Sequence, residues 1–195
     1  LTLGNDGNFY GSSSEGGNTS LNGGYGLGTV FLVTTNGALT MLVAFNGTNG
    51  RVPSALTLGT GGNFYGTSSE GGITNYSWPD GMGTVFKVTT NGTLTTLVSF
   101  LYAANGANPQ AGLAVGSDGN FYGTTWSGGN DWVGTVFKMD AFGNLTTLHS
   151  FAWSDGLVVT PSRMSIAASA SSSFTLPVST NSFILILWFV IGGQP

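Results

Sequence analysis

The chain has 195 residues, enough for one large domain or a short run of repeats. Glycine supplies 33 of them, while Asp, Glu, Lys and Arg together make up only 6%, for a formal net charge of −4. This composition excludes intrinsic disorder and long helices, four basic residues cannot form a phosphate-binding stripe, and the lack of cysteine rules out disulfides, thiolate metal sites and a Cys nucleophile.

From the first residue onward the chain repeats itself. Leu1 is not followed by a charged region and an apolar run, which points to a removed leader or a segment of something longer. Phe-Tyr-Gly occurs at 9–11, 64–66 and 121–123, and Gly-Thr-Val-Phe at 28–31, 83–86 and 134–137. A Thr/Leu segment then leads to a closing Phe45, Phe100 or Phe151. Fixed blocks with variable spacers read as strands joined by surface loops.

Each unit divides into four strands. In the second, Ala55–Gly59, Asn63–Ser68, Thr84–Thr89 and Leu94–Phe100 are the candidates. Thr84–Thr89 places Phe86 and Val88 on one face and Val85 and Lys87 on the other, so both faces need cover. Asn91-Gly92 and Asn36-Gly37 predict two-residue type I′ hairpins, and Asp140–Asn144 a longer connection in the third unit. The expected fold is all-β: a propeller-like array of four-stranded antiparallel blades, with three clear repeats. The expected divisions are 1–45, 46–100 and 101–160, followed by a divergent C-terminal β segment over 161–195. A lone unit of this kind leaves two apolar faces bare and must pack against another.

In that last segment, Phe183, Ile184, Leu185, Ile186, Leu187, Trp188, Phe189, Val190 and Ile191 form an unbroken apolar run. It is too short to span a bilayer. It reads as a buried strand, as an assembly strand donated to a neighbouring molecule, or as the remnant of a sorting tail.

Gly-Asn-Phe-Tyr-Gly-Thr, Gly-x-Gly-Thr-Val-Phe-Lys and Asn-Gly-x-Leu-Thr-Thr-Leu-x-Ser-Phe, most complete over 62–100, resemble the GloVer-type extracellular tandem repeat of Verrucomicrobia and related bacteria. The first unit departs from it at Ser12, Leu32 and Ala44, and the third at Trp132. The resemblance implies an extracellular or cell-surface bacterial protein with a propeller-like fold, and it implies no catalytic activity.

Chemistry-bearing residues are sparse. His149 is the only histidine and aligns with Val43 and Val98, which marks a packing or edge position rather than a catalytic one. The carboxylates are Asp6, Glu15, Glu70, Asp80, Asp118, Asp131, Asp140 and Asp155; Glu15 aligns with Glu70, but the third unit has Ser127 there. Asn5–Asn8 and Ser117–Asn120 hint at calcium loops, but Gly61 replaces the Asp in the second unit, and turns explain them more simply. The Glu15-Gly16-Gly17 and Glu70-Gly71-Gly72 loops precede neither a helix nor a Lys, so phosphate binding is not expected. Asn18, Asn46, Asn75, Asn91 and Asn144 lie in glycosylation sequons that Asn-Gly turns and Thr-rich strands generate by chance.

The best binding signal is aromatic. Tyr25, Tyr76, Trp78, Trp126 and Trp132 all fall in the variable loops, where they could stack on sugar rings or grip a partner, or else cap the blade ends. The expected function is a non-enzymatic structural or self-assembly role, polymerising through exposed strands, with no cofactor or metal. The expected partners are copies of itself, glycans or other surface proteins, with no nucleic acid and no transmembrane span. The alternative is a glycan- or protein-binding module that uses the loop aromatics.

Overall fold

A computed structural model describes residues 1–155; the expected C-terminal segment, including the run at 183–191, lies outside the described residues. The described residues are all-β apart from one helical turn, α1 (Tyr102–Asn105), and two short 3-10 turns. Among them no helix is long and apolar enough to cross a membrane.

Three antiparallel sheets follow one another along the chain. The first is β1 (Thr2–Leu3), β2 (Phe9–Ser13), β3 (Thr29–Val33) and β4 (Leu39–Ala44), in that order. The second has β5 (Arg51–Pro53) and β6 (Thr57–Leu58) sharing one edge of β7 (Phe64–Glu70), then β8 (Thr84–Val88) and β9 (Leu94–Ser99). The third is β10 (Ala114–Val115), β11 (Phe121–Thr125), β12 (Thr135–Met139) and β13 (Leu145–Ser150).

Cross-strand register explains the Phe-Tyr-Gly block. Gly11, Gly66 and Gly123 pair with Phe31, Phe86 and Phe137 on the next strand. Each ring reaches over its glycine, where a Cβ would stand 2.6, 2.6 or 2.3 Å from the ring's Cζ. The glycine thus makes room for an aromatic that its neighbour supplies. A register shift falls at the same place in every sheet, after Val30, Val85 and Val136, and adds the local twist of a β-bulge.

The hairpins correct the sequence reading. Asn36 and Asn91 are absent from the positive-φ residues, whereas Gly37 and Gly92 have φ of 87° and 87°. Gly37 and Gly92 donate to the carbonyls of Thr34 and Thr89, and Thr34 and Thr89 donate to those of Ala38 and Thr93. These are three-residue loops closed by a left-handed glycine, not type I′ turns. The third hairpin is no longer than the others: Asp140 donates to Asn144 and Gly143, at φ 97°, donates to Asp140. The Asp140 carboxylate accepts from the Phe142 and Asn144 amides, which replaces the Thr–Asn side-chain pairing of the other two.

The core consists of two seams between sheets. Tyr10 stacks on Phe64 and Tyr65 lies against Phe121, with centroids 4.1 and 4.0 Å apart. Phe45 meets Phe86, and Phe100 meets Phe137, at 5.1 and 5.5 Å. Polar contacts repeat as well: Thr2 and Thr57 donate to the Leu56 and Leu113 carbonyls, and Ser12 and Thr67 to those of Ser54 and Ala111. Phe86 and Val88 belong to the first seam and Val85 to the second, so β8 is covered on both faces.

Candidate functional site

The long loops β2–β3, β7–β8 and β11–β12 and the connections between sheets emerge at one end of the strands, because consecutive strands run antiparallel. This end gathers most of the charge and the exposed aromatics. Arg51, which follows the first sheet, reaches across it. Its Nη1 lies 2.6 Å from Asp80 Oδ1, its Nη2 donates to Asn22 Oδ1 at 3.3 Å, and its Nε stands 3.1 Å from Glu70 Oε2. The Nε–Glu70 contact is a close charge pair without the alignment of a hydrogen bond. One guanidinium therefore ties loops of two sheets together.

The loop aromatics divide into two groups. Trp78 is half-buried, packs against the second seam and lies 5.0 Å from the Tyr102 ring, which makes it a packing residue. Tyr25, Tyr76 and Trp132 are 65%, 103% and 66% exposed, and Trp126 is 44% exposed. Trp132 has a φ of 65° where its counterparts are Gly26 and Gly81, at 72° and 76°. A bulky residue held in the left-handed region is strained by roughly 1–3 kcal/mol, and such residues concentrate at functional sites. The sequence showed the Gly-to-Trp exchange but not that the glycine conformation would be kept.

The hairpin end holds the remaining polar clusters. Asp118 Oδ2 accepts from Asn120, Tyr122 and Lys138 at 2.8, 2.9 and 2.8 Å. The Lys138 ammonium, with Asn120 and Tyr122, holds the Asp118 carboxyl far below the usual carboxylate range, against some opposing desolvation. Asp6 accepts from Asn8 and Tyr10 in the same way, both at 2.8 Å, and its pKa is lowered by those hydrogen bonds. Burial and the Asp6 carboxylate push the Tyr10 hydroxyl up to about 12. In the second sheet Gly61 takes the Asp position, and burial alone raises Tyr65. Asp6 and Asp118 thus close their own turns onto the Tyr of Phe-Tyr-Gly. Among the described residues no three His, Asp or Glu side chains are grouped to hold a metal ion.

His149 pairs with Val136 on the outer strand β13, and its Nε2 lies 3.2 Å from Asp155 Oδ2. The Ala152 amide donates to the same oxygen, and this hydrogen bond is the main cause of the lowered Asp155 pKa. Glu15 lies in the bend after β2 and Glu70 at the end of β7, and of the two only Glu70 has an ion-pair partner among the described residues. Arg51 had no forecast role; the signal available was its place, one after a glycine in the connecting loop.

No curated protein matches the chain. Among solved structures it is similar to a streptogramin B lyase, at 18% identity and TM-score 0.43, over 61% of this chain and 33% of that one. It is also similar to a candidate gluconolactonase, at 15% identity and TM-score 0.45, over 74% of this chain and 46% of that one. The chain therefore spans less than half the length of either. The model of the Gloeobacter/Verrucomicrobia repeat matches residues 1–174, nearly the whole chain. With its three like sheets and two like seams, the chain belongs to that repeat family.

Proposed function

We propose that this is a non-enzymatic repeat protein of the cell surface or extracellular space, with a structural role exercised by association of its sheets. On this reading the sheets are blades of a propeller-like array that further packing completes, between copies of the chain or with other surface proteins. One observation carries the reading. Among the described residues, Phe31 and Val33 of the first sheet are half-buried, whereas their counterparts Phe86 and Val88 of the second are fully buried. Apolar sheet faces bare on one side favour association. Sedimentation of the full chain over a range of concentrations tests it. Concentration-dependent growth in mass that Phe31→Asp suppresses supports the reading, and a monomer at every concentration contradicts it. Deleting residues 181–195 in parallel asks whether the apolar run at 183–191 acts as an assembly strand.

A second reading is favoured by Trp132. A strained, exposed Trp at the same end as Tyr25 and Tyr76 suits a flat glycan ring or a partner protein. Glycan-array binding lost in Trp132→Gly and Tyr76→Ala supports it, and binding that survives both contradicts it.

A further inference from the structure

The two internal seams are closed by the same backbone contacts. Gly72 donates its amide to the Gly47 carbonyl at 2.8 Å in the first, and Gly129 donates to the Tyr102 carbonyl at 3.0 Å in the second. A Cβ on Gly71 would stand 2.4 Å from the Gly47 oxygen, and one on Gly128 2.3 Å from the Tyr102 oxygen. Closure is thus the same in both, whatever side chains the loops carry.

The side chains differ in one direction. Loop spacing and strand register match Tyr76, Trp78, Tyr102, Trp126 and Trp132 at the second seam with Leu21, Gly23, Gly47, Ser69 and Gly81 at the first. Five aromatic rings therefore stand where the first seam closes with three glycines, a serine and a leucine. Trp78 and Tyr102, 5.0 Å apart, pack against the core and make a floor. Tyr76, Trp126 and Trp132 are exposed, and Trp132 keeps the left-handed backbone of the glycine it replaces. Rings that closure does not need, one of them held at a conformational cost, mark a place where something binds.

Charge differs too. The first seam brings Arg51, Glu70 and Asp80 together, whereas the second has Ala107 and Ser127, bridged to each other, at the places of Arg51 and Glu70. The other described cations, Lys87 and Lys138, lie near the hairpin ends of β8 and β12. Among the described residues this leaves the loop end of the second seam with exposed Asn130 and Asp131 beside Trp132 and with no basic side chain.

We propose that the loop end of the second seam binds an uncharged glycan chain several pyranose rings long. The flat faces of the sugars stack on rings whose orientation is already fixed, and their hydroxyls exchange hydrogen bonds with Asn130 and Asp131. An acidic glycan would meet Asp131 with no cation to offset it. The inference rests on the second reading above, places its site at one seam and narrows its ligand.

Calorimetric titration of the full chain with cellohexaose, chitohexaose and a hexamer of galacturonic acid tests it. At least one neutral hexamer should bind and the acidic one should not. Trp132→Gly and Trp126→Ser install the residues of the first seam, Gly81 and Ser69, and each should weaken binding about tenfold without lowering the urea midpoint. Tyr25→Ala, in the loop of the first sheet, should leave binding unchanged. Acidic binding as tight as neutral binding overturns the ligand class, and neutral binding that survives both Trp variants but is lost in Tyr25→Ala overturns the site. Either result leaves the second reading standing. Binding of none of the three hexamers overturns the inference, and the second reading fails with it only if a glycan array is blank as well.

Discussion

The first and second sheets carry nearly the same residues in the same register, yet they are buried differently. Val85, Phe86 and Val88 are all fully buried, whereas of Val30, Phe31 and Val33 only Val30 is. The second sheet has a neighbour on each side and the first has its described neighbour on one. A strand with apolar residues on both faces is therefore not finished by its own sheet, and its contribution to stability depends on what lies against it.

Matched substitutions should expose the difference. Phe86→Ala empties a fully enclosed site and is expected to cost about 3–5 kcal/mol in urea unfolding, against about 1–2 kcal/mol for Phe31→Ala on its half-bare face. Equal losses would mean that the first face is covered as well. Gly66→Ala comes next. Its Cβ would press on a Phe86 ring that cannot retreat, at about 1–3 kcal/mol, while Gly11→Ala presses on a Phe31 ring with room to move and should cost less.

Trp132→Gly should raise stability by about 1 kcal/mol, by placing glycine where its counterparts Gly26 and Gly81 have the same left-handed backbone. A loss of stability would show that the Trp side chain earns its place by packing.

The acid limb separates the second sheet from the other two. Asp6 and Asp118 have pKa values below those of the unfolded chain, so their stabilisation is complete above about pH 4 and fades as pH falls toward the folded values. Asp118→Asn should flatten the urea midpoint between about pH 4 and pH 2. At the alkaline end Tyr10 works with the opposite sign, its stabilisation being full below about pH 10 and lost as pH rises through about 12. Tyr10→Phe should remove that part of the alkaline fall.

Much of this was legible in the sequence because strand alternation is a local property. The two-sided character of β8 could be read from Val85, Phe86 and Val88, and the turns from their glycines. The type of turn could not be read, because Asn-Gly fits two loops and the backbone hydrogen bonds of Thr34 and Thr89 decide between them. Strand β5 was missed because Pro53 weakens any strand signal, and its pairing with β7 depends on a neighbouring edge. The candidate sites were the least legible. Whether Trp78 packs and Trp132 protrudes depends on Tyr102 and on a backbone angle, and Glu15 and Glu70, alike in sequence, differ only in what stands opposite.

Amide hydrogen exchange on the full chain, resolved by strand, tests most directly whether neighbouring sheets stabilise one another. The amides of β7 and β8 should exchange only with global unfolding, and those of β2 and β3 should exchange faster through local opening of the less buried sheet. Exchange in β3 as slow as in β8 would contradict this, since the first sheet would then need no further neighbour.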